Sequence, residues 1–543
     1  MTGTDRVDAV IVGAGAAGGA AAWRLATAGW RVVCVEQGGW DDRTAAASES
    51  LDWELARQRG RHPNPNLRRG PADYPIDDLD TPIRPLLYNG VGGSLIHWGA
   101  HFPRLHPSDF RVRSLDGVGV DWPIGYDDLD PYFELNDSMM GVAGVNGDPA
   151  NPPRGPRQTR PLPLGRGGER LAKAFDELGW AWWPADAAIN SEPYGQDRLA
   201  CNMCGPCDLG CPRGARASSD ITYWPEAIAA GAELRTHCRV STVTVDERGR
   251  ATGVAYFDAD GVERHQAADV VVMAANGIGT ARLLLNSTSP AHPHGLANTS
   301  DQVGRNLMHH PIGMVTGVFD EELEGFKGPF AVSIVSQEFY ETDPSRGFPR
   351  GYMMQYCRSD GPLGTALGGY LAPVPWGPDH HRVLAQRLGH TASVTVTTED
   401  LPDPDNRVTL HPTLTDSSGI PAPKLTYTLS PVAERTIAHG IVNATTLMRT
   451  AGAREVVPLP LISGAGFHLL GTARMGDDPA TSVVNGDCRA HDVDNLFVID
   501  GSVFATCGAV NPTSTIMAVA LRAADRMIGR GAPLPVAAAR GAS

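Results

Sequence analysis

The sequence lacks long hydrophobic runs and lacks an excess of positive charge. No uninterrupted apolar stretch reaches the ~18 residues that a membrane-spanning helix requires. Lys and Arg together number 46 against 61 Asp and Glu, a formal net charge of −15, and this balance argues against binding nucleic acid or an anionic membrane through bulk charge. These absences predict a cytoplasmic protein that has no membrane span and no nucleic-acid partner and that acts on small molecules.

The chain also lacks the cysteine pattern of a secreted protein held together by disulfides. Its nine cysteines are an odd number, four of them fall between Cys201 and Cys211, and the others are scattered. A disulfide framework uses an even number of cysteines in a much shorter chain. The cysteine run therefore points to another role.

Length and composition indicate a folded protein with more than one structural unit. With 543 residues the chain is long for a single core, since domains typically hold about 100–200 residues. Hydrophobic residues make up 42% and charged residues 20%, which is the composition of a globular protein and not of a disordered one. The 62 glycines and 43 prolines follow no fixed period, which excludes collagen and favours a loop-rich α/β protein.

A βαβ unit with a dinucleotide-binding pattern begins the chain. Residues 8–13 form a short β-branched run that is typical of a buried parallel strand. Gly13, Gly15 and Gly18 have the spacing G-x-G-x-x-G, a run of helix formers follows, and a second strand closes on Glu36. The glycines let a pyrophosphate approach a helix N-terminus, and Glu36 would bind the adenosine ribose. The pattern predicts FAD or NAD rather than NADP, and a glycine-rich turn without a ligand is the alternative.

The C-terminal part of the sequence carries a second set of motifs. The strand of residues 495–499 ends in Asp500-Gly501, Asn511-Pro precedes an amphipathic helix, and a segment H-L-L-G-T begins upstream at His468. From the first strand to the last helix, the chain closely resembles the glucose-methanol-choline (GMC) family of flavin oxidoreductases. The resemblance implies FAD as the cofactor, with Asp500 and Gly501 against its diphosphate and ribityl chain and with His468 and Asn511 facing the flavin ring.

Alcohol oxidation explains why a histidine and an amide would face a flavin. The reaction removes a hydroxyl proton and a hydride from one carbinol, and a flavin can accept the hydride. A neutral histidine is suited to take the proton, which makes His468 the candidate base. The amide of Asn511 could orient and polarise the same oxygen. Asn511 could also cap the helix that follows it, and the two roles can coexist.

A second glycine-rich loop is expected to line the flavin ring. The motif N-G-V-G-G-S resembles the first signature of the family, which places Gly92, Gly93 and Ser94 beside the isoalloxazine. The His97-Trp98 pair stands in register with a His-Trp pair that, in pyranose oxidases and some bacterial sugar dehydrogenases of the family, supplies a covalent bond to the flavin 8α-methyl group. The resemblance therefore implies covalent FAD through His97, with a noncovalent histidine packed beside the ring as the alternative.

The cysteine run has the spacing of an iron–sulfur site. Cys201, Cys204, Cys207 and Cys211 form C-x2-C-x2-C-x3-C-P, the spacing of a bacterial ferredoxin cluster loop. Zinc ribbons use two separated C-x2-C pairs instead. FAD-dependent glucose and fructose dehydrogenases of the family carry a three-iron cluster near this place, and their cysteine pattern resembles Cys201, Cys207 and Cys211. We therefore expect an iron–sulfur cluster, 3Fe–4S or 4Fe–4S, with a loop merely shaped by its cysteines as the alternative.

The motifs together predict an α/β fold with two domains. A discontinuous Rossmann-like FAD-binding domain comprises residues 1–310 and 461–543, with a cysteine-rich insertion at 195–216. Residues 311–460 lack the glycine motifs and alternate in polarity, which predicts a substrate-binding domain on a largely antiparallel sheet. By resemblance to the family, the backbone of Val240 meets the adenine.

The predicted function is that of an FAD-dependent dehydrogenase that oxidises the CH–OH group of an alcohol, with a sugar or glycoside favoured. Electrons would pass through the iron–sulfur centre to an external carrier, so an electron-acceptor protein or a small partner subunit is expected. The alternatives are an oxidase that reduces oxygen, an electron-transferring flavoprotein subunit without alcohol chemistry, and an NAD-linked dehydrogenase. The adjacent His309 and His310 have no metal-ligand spacing and are expected to be structural. Trp183 is expected to serve packing rather than substrate binding.

Overall fold

The computed structural model describes residues 6–50, 52–58, 60–330, 333–369, 371 and 374–529. Its strands are β1 (Val7–Val12), β2 (Val32–Val35), β3 (Asp77–Asp80), β4 (Trp183–Pro184), β5 (Glu233–Arg235), β6 (Arg239–Val245), β7 (Ala251–Phe257), β8 (Glu263–Met273), β9 (Ile312–Val318), β10 (Ile334–Ser336), β11 (Tyr352–Cys357), β12 (Thr391–Thr398), β13 (Arg407–Thr415), β14 (Pro421–Thr426), β15 (Glu455–Leu459) and β16 (Leu496–Val498). Its α-helices are α1 (Ala16–Thr27), α2 (Trp53–Gln58), α3 (Pro65–Arg68), α4 (Val112–Asp116), α5 (Tyr126–Met140), α6 (Gly165–Leu178), α7 (Tyr223–Ala229), α8 (Asn276–Asn286), α9 (Pro362–Leu367), α10 (His380–Arg387), α11 (Pro431–Thr450) and α12 (Thr513–Met527).

The first sheet contains the predicted βαβ unit. Its strand order is β5-β2-β1-β8-β7-β6, with β16 added beside β8. β1 pairs in parallel with β2 and β8, and β16 pairs in parallel with the end of β8. Residues from Ala9 to Val12 are almost wholly buried, as expected for a parallel strand covered on both faces. Because β16 comes from the C-terminal part of the chain, distant segments build one sheet, which confirms the prediction of a discontinuous FAD-binding fold.

A buried ion pair joins the first and last described helices. Arg24 of α1 lies 2.5 Å from Asp525 of α12, and both side chains are almost fully buried. Tyr132 of α5 donates a hydrogen bond to the same carboxylate at 3.1 Å. Removing one partner would leave an uncompensated buried charge, which is strongly destabilising. The pair therefore helps to hold α12, and with it the N-terminal end of this helix, in place.

The second sheet is antiparallel, as predicted. Its order is β15-β9-β12-β11-β10-β4, and each of these neighbouring pairs runs antiparallel. In β12, Val394 and Val396 pack in a core with α6 and α11. Thr395 and Thr397 alternate with them, and on β11 Gln355 accepts a hydrogen bond from Thr397 at 3.2 Å. One face of the sheet is thus apolar, and the other carries polar side chains.

A small third sheet, with the order β13-β14-β3, completes the α/β fold. The second sheet takes β4 from outside residues 311–460, and β13 and β14 join β3 rather than the second sheet. The predicted domain boundaries stay a prediction. Among the helices that the structure describes, none has both the length and the apolar character needed to cross a membrane.

Candidate active site

A long cleft at the end of the first sheet gathers most of the predicted cofactor-binding residues. It holds about 1170 Å³ of space, its open mouth included. The predicted residues that line it are Gly13, Gly15, Glu36, Gly93, Ser94, Val240, His468, Asp500 and Gly501. Gly18, Gly92, His97 and Asn511 are not among its lining residues. Gly18, His97 and Asn511 contact Gly13, Tyr88 and His468, which line it, and Gly92 precedes Gly93.

The first glycine turn leaves the N-terminus of α1 open toward the cleft. Gly13 has a φ of +102°, and a Cβ there would lie 2.6 Å from the Ala274 carbonyl oxygen. A Cβ on Gly18 would lie 2.0 Å from the Gly13 oxygen, so Gly18 permits the close packing of helix on strand. Gly15 is the N-cap of α1, and no side chain caps the helix there. Free helix N–H groups beside a glycine cradle fit a diphosphate.

Glu36 lies at the end of β2 with its carboxylate buried beside this turn. Its two oxygens accept hydrogen bonds from the backbone N–H groups of Ala14, at 2.8 Å, and Gly38, at 2.9 Å. Burial raises the pKa of Glu36, although these two bonds act in the opposite direction. Val240 lines the same cleft. A buried acceptor beside the glycine turn fits the hydroxyl groups of a ribose.

The second glycine loop touches the first. A Cβ on Gly93 would lie 2.8 Å from the Cα of Gly15, so the two loops approach as closely as glycine allows. Gly92, with a φ of +96°, donates from its N–H to the Ala14 carbonyl at 3.0 Å. The hydroxyl of Ser94 accepts from the Tyr88 N–H at 3.3 Å. Gly92 thus turns the loop, while Gly93 and Ser94 face the cleft.

Asp500 and Gly501 close the cleft from the C-terminal side. Asp500 accepts from the Thr280 hydroxyl at 2.5 Å and from the Ser502 N–H at 2.9 Å. A Cβ on Gly501 would lie 2.8 Å from the Leu469 carbonyl oxygen. Burial raises the pKa of Asp500, and its hydrogen bonds oppose this effect. The beginning of α12, at Thr513, lines the cleft beside them, which directs a second helix N-terminus toward a bound ligand.

His468 and Asn511 form a pair at one end of this cleft. The Asn511 Nδ2 group lies 3.4 Å from Nε2 of His468 and donates to it. The pKa of His468 is lowered well below 6.5, first by burial and then by the imidazoles of His310, His309 and His101. Asn511 precedes α12, and its side chain accepts bonds from other residues, so its role is not that of a simple helix cap. A neutral imidazole with an amide beside it has the composition that alcohol deprotonation requires.

Sequence reasoning missed two residues that hold Asn511. His101 Nδ1 lies 2.8 Å from Asn511 Oδ1, and because a carbonyl oxygen only accepts, this nitrogen carries the hydrogen. Gln355 Nε2 donates to the same oxygen at 3.3 Å and also contacts His101 Nδ1. Burial lowers the pKa of His101 to about 4, which keeps its ring neutral. With its oxygen occupied by two donors, the amide of Asn511 presents its NH₂ group to His468. No local pattern in the sequence marks these contacts.

His309 and His310 were predicted to be structural, and the structure separates their roles. His309 Nδ1 donates to the backbone carbonyl of His468 at 3.0 Å. His310 Nδ1 lies 2.9 Å from His468 Nδ1, and its Nε2 lies 2.8 Å from the Gly508 carbonyl oxygen. His309 thus supports the backbone, whereas His310 contacts the ring of the candidate base directly.

His97 is buried behind the second glycine loop with one nitrogen unpartnered. Its Nδ1 donates to the Asp208 carbonyl at 2.7 Å, and its Nε2 has no hydrogen-bond partner among the described residues. Burial lowers the pKa of His97 to about 4. The ring packs edge-on against Tyr88, with centroids 5.0 Å apart, and Tyr88 lines the cleft. The Nε2 atom of a neutral ring in this state carries a free lone pair.

The predicted iron–sulfur site is not supported by the arrangement of the cysteines. In the part of the chain that the structure describes, no three His, Cys, Asp or Glu side chains converge in a geometry that could hold a metal ion. The thiols of Cys201, Cys204, Cys207 and Cys211 are free, and burial raises the pKa of Cys201 to about 11 and that of Cys207 to about 12.

Bonds to other segments shape the cysteine loop instead. The Cys201 N–H donates to the Asn190 carbonyl at 2.8 Å, and the Gly328 N–H donates to the Met203 carbonyl at 2.9 Å. Cys207 starts a short turn that packs on the Gly93–His97 turn. The structure thus favours the alternative in which the loop supports the wall near His97.

A second cavity lies beside His101. It reaches His101, the residue that holds Asn511, and it is bounded by β4, β10, β11 and the loop of residues 145–157. Its polar and aromatic lining residues include Asn146, Asp148, Asn151, Arg154, Arg157, Trp183, Asp186 and Gln337. Trp183 was predicted to serve packing alone, and it forms part of this wall.

Comparison with known proteins places the chain in a family. Two family models described as "GMC oxidoreductase" match residues 171–312 and 402–520, and one described as "FAD binding domain" matches residues 8–66. The chain is 42% identical to 2-methyl-1,2-propanediol dehydrogenase of Mycolicibacterium austroafricanum, over 96% of this chain and 95% of that protein. The chain belongs to the GMC oxidoreductase family. The resemblance stated from the sequence motifs is therefore confirmed.

Other members of the GMC family align over nearly the whole chain. The fructose dehydrogenase large subunit of Gluconobacter japonicus is 30% identical over 96% of this chain and 97% of that protein. Pyridoxine 4-oxidase from Mesorbium loti shares the fold with a TM-score of 0.67 at 18% identity, over 96% of this chain and 99% of that one. The FAD-binding match and the family membership confirm FAD as the cofactor class, and the solved structure confirms the α/β fold.

Proposed function

We propose that this GMC protein oxidises the CH–OH group of a polar alcohol, such as a sugar, glycoside or diol, and passes the electrons to an external acceptor. The observation that carries the proposal is the contact between His468 and Asn511, 3.4 Å apart, at the end of the cofactor cleft and beside a second, polar cavity. Bound FAD would supply the hydride acceptor. The chain's own residues would bind the alcohol, hold its oxygen and take its proton.

The division of labour between the two side chains follows from their chemistry. Nε2 of His468 would accept the hydroxyl proton, since its low pKa keeps it unprotonated near neutrality. The NH₂ group of Asn511 would donate a hydrogen bond to the oxygen as negative charge develops there. His101 and Gln355 would hold this amide in the orientation that donates.

The second cavity is proposed as the substrate site. Arg154 and Arg157 both bind Asp186, at 2.5 and 2.8 Å, and Arg157 also lies 3.5 Å from Asp137, so each guanidinium has a carboxylate partner and the cavity favours a neutral ligand. Asn151 donates to Gln337 at 3.1 Å, and such amides can bind substrate hydroxyl groups. The relative named for a diol, 2-methyl-1,2-propanediol, agrees with a hydroxyl-rich substrate.

His97 is proposed to bind the flavin covalently. Its buried Nε2 has a free lone pair and no partner among the described residues, which is the state that a nucleophile requires. The bond from Nε2 to the 8α carbon would replace one C–H bond and release a proton. The two electrons would remain on the flavin until the external acceptor removes them.

Rapid mixing of the holoenzyme with candidate alcohols tests the proposed base. His468→Ala is expected to slow flavin reduction by roughly 10²–10⁴, the usual contribution of a positioned base, while the flavin content stays normal. An unchanged rate of flavin reduction in this variant would show that His468 is not the base.

The acceptor is tested separately by following reoxidation. A dehydrogenase is expected to be reoxidised faster by a quinone or another artificial carrier than by oxygen. Rapid reoxidation by oxygen with formation of H₂O₂ would instead make the protein an oxidase. The covalent bond is tested by acid precipitation, after which the flavin should stay in the pellet for the wild type and move to the supernatant for His97→Ala.

A further inference from the structure

We infer that His310 is a positioning residue that holds the proton of His468 on Nδ1 and thereby leaves Nε2 free to act as a base. The consequence for catalysis rests on the proposed alcohol chemistry, whereas the proton position itself does not. The inference follows from a chain of hydrogen bonds that runs from the Gly508 carbonyl through His310 and His468 to Asn511.

The chain has one consistent assignment of protons. A carbonyl oxygen can only accept, so Nε2 of His310 carries the hydrogen toward Gly508. Burial lowers the pKa of His310 to about 4, so the ring is neutral and its Nδ1 is an acceptor. His468 Nδ1, 2.9 Å away, must therefore be the donor. In a neutral ring this leaves the lone pair on Nε2, where the Asn511 amide donates to it.

The carbonyl that begins the chain is fixed in direction. Gly508 has a φ of +62°, and a Cβ there would lie 2.5 Å from a Leu105 methyl group. The next residue, Ala509, donates its N–H to the Tyr340 hydroxyl at 3.1 Å. Tyr340 in turn donates to Asp109 at 2.7 Å. A larger residue at position 508 would disturb this arrangement. The direction of the Gly508 carbonyl, which accepts from His310, is therefore determined by the fold.

The position of His310 is fixed from the other side. Met308 and Leu470 exchange two backbone hydrogen bonds of 3.0 and 3.1 Å, which join the segment that ends in His310 to the one that begins with His468. The two rings meet edge to face, with centroids 4.7 Å apart. A contact between residues 158 positions apart is therefore held by the backbone as well as by the side chains.

The titratable groups around the pair favour neutral forms. Burial lowers the pKa of His309 and of His101 to about 4 and raises that of Asp400 to about 7. Burial also raises the pKa of the Cys507 thiol. Asp400 contacts the His309 N–H at 3.3 Å and does not contact His468 itself. The hydrogen-bond chain, rather than a nearby full charge, thus decides which nitrogen of His468 carries the proton.

Loss of the acceptor would favour the inactive form of the base. With leucine at position 310, a proton on Nδ1 of His468 would be buried without a partner. The proton would then move to Nε2, because His468 lines the open cleft and water there can accept this proton once the Asn511 amide no longer donates to Nε2. The usual cost of an unpaired buried donor corresponds to a loss of about 5- to 150-fold in the active form. Asparagine at the same position offers an oxygen near the place of Nδ1 and should restore part of the rate.

Four variants of the holoenzyme separate this role from packing: His310→Leu, His310→Asn, His309→Leu and His309→Asn. His309 is the matched control, because it is an equally buried neighbour that bonds the backbone of His468 and not its ring. We expect the limiting rate of flavin reduction to fall by about 5- to 150-fold in His310→Leu and to recover in part in His310→Asn. The same rate should change much less in His309→Leu and His309→Asn. The binding of a competitive alcohol analogue should stay unchanged.

Solid-state NMR of protein labelled with ¹⁵N-histidine reads the proton position without turnover. The His468 signals, assigned by their loss in His468→Ala, should report a proton on Nδ1 in the wild type and on Nε2 in His310→Leu. A proton on Nε2 in the wild type, or equal rate losses in the His309 and His310 variants, would overturn the inference. If no alcohol reduces the wild-type flavin, the proposed function fails, and the NMR result still decides the proton position.

Discussion

Replacing Asn511 by aspartate would place a negative charge beside the base without changing the size of the side chain. The Asn511 amide nitrogen lies 3.4 Å from Nε2 of His468. Coulomb's law with an effective dielectric constant of about 20 gives about 5 kcal/mol for two unit charges at this distance, which corresponds to a rise of about 3.6 in the pKa of His468. His101, 2.8 Å from the other end of the amide, competes for the new charge. We therefore expect a rise of about two to three units.

The pH dependence of flavin reduction measures this shift. In the wild type the pKa of His468 lies well below 6.5, so the base is unprotonated and the rate should be flat from roughly pH 6 to 9. In Asn511→Asp the acid limb should move upward by about two to three units, with the rate falling about tenfold per unit below it. The part of the rate loss that comes from protonation of His468 should then be recovered in more alkaline buffer, whereas the part that comes from the lost amide donor should remain.

Asn511→Ala is the matched control, since it removes the amide without adding a charge. It should lower the rate at every pH, because the developing charge on oxygen loses a donor, and it should leave the profile flat. If the profiles of Asn511→Asp and the wild type have the same acid limb, the reasoning is refuted, because a charge 3.4 Å away would then have no effect on the group that limits the rate.

Two further predictions concern buried carboxylates that do not contact the side chains of His468 and Asn511. In the His97→Ala background, where the flavin is held without a covalent bond, Glu36→Gln should weaken the binding of FAD to the apoprotein by about 10- to 150-fold, the cost of losing hydrogen bonds to a charged acceptor. Unchanged flavin affinity in a titration would show that Glu36 does not bind the ribose. Burial raises the pKa of Asp400 from an ordinary 3.8 to about 7. Between these values the unfolded chain releases this proton while the folded chain keeps it, so the free energy of unfolding falls as pH rises from about 4 to about 7. In the wild type this costs about 1.4 kcal/mol of the free energy of unfolding per pH unit, and Asp400→Asn removes the cost. The melting temperature of the variant, measured relative to that of the wild type, should therefore rise across this pH range. A constant difference between the two melting temperatures would contradict the buried, protonated state of Asp400.

The sequence was most informative where neighbours along the chain are also neighbours in space. The glycines at 13, 15 and 18 and Glu36 belong to one βαβ unit, so their spacing alone predicts their placement around a helix N-terminus. His468 and Asn511 were found because both lie in motifs that resemble a known family. Their roles stay predictions, although the structure brings the two side chains together.

The contacts that orient Asn511 beside His468 could not be read from the sequence. His101 and Asn511 are 410 positions apart, and Gln355 and Asn511 are 156 positions apart. Such pairs form only when the two sheets come together, and no local pattern records them. The cysteine run is a different case, because its spacing predicts a ligand set that the structure does not support, and the loop is held by bonds to Asn190 and Gly328.

A buried charge cluster joins the second sheet to α4 and to the turn that precedes it. Arg350, just before β11, binds Glu399 at 2.6 Å, Asp116 at 3.1 Å and also Asp109. The carboxylate of Asp109 accepts a hydrogen bond from the Tyr340 hydroxyl, and the oxygen of that hydroxyl accepts one from the Ala509 N–H. Ala509 follows Gly508, whose carbonyl orients His310. A buried pair of charges contributes little net stability compared with apolar packing, yet breaking it is costly. The cluster therefore contributes little net stability and acts mainly as a rigid support. It fixes the Gly508 carbonyl relative to the second sheet. Through His310, this carbonyl then determines which nitrogen of His468 carries the proton.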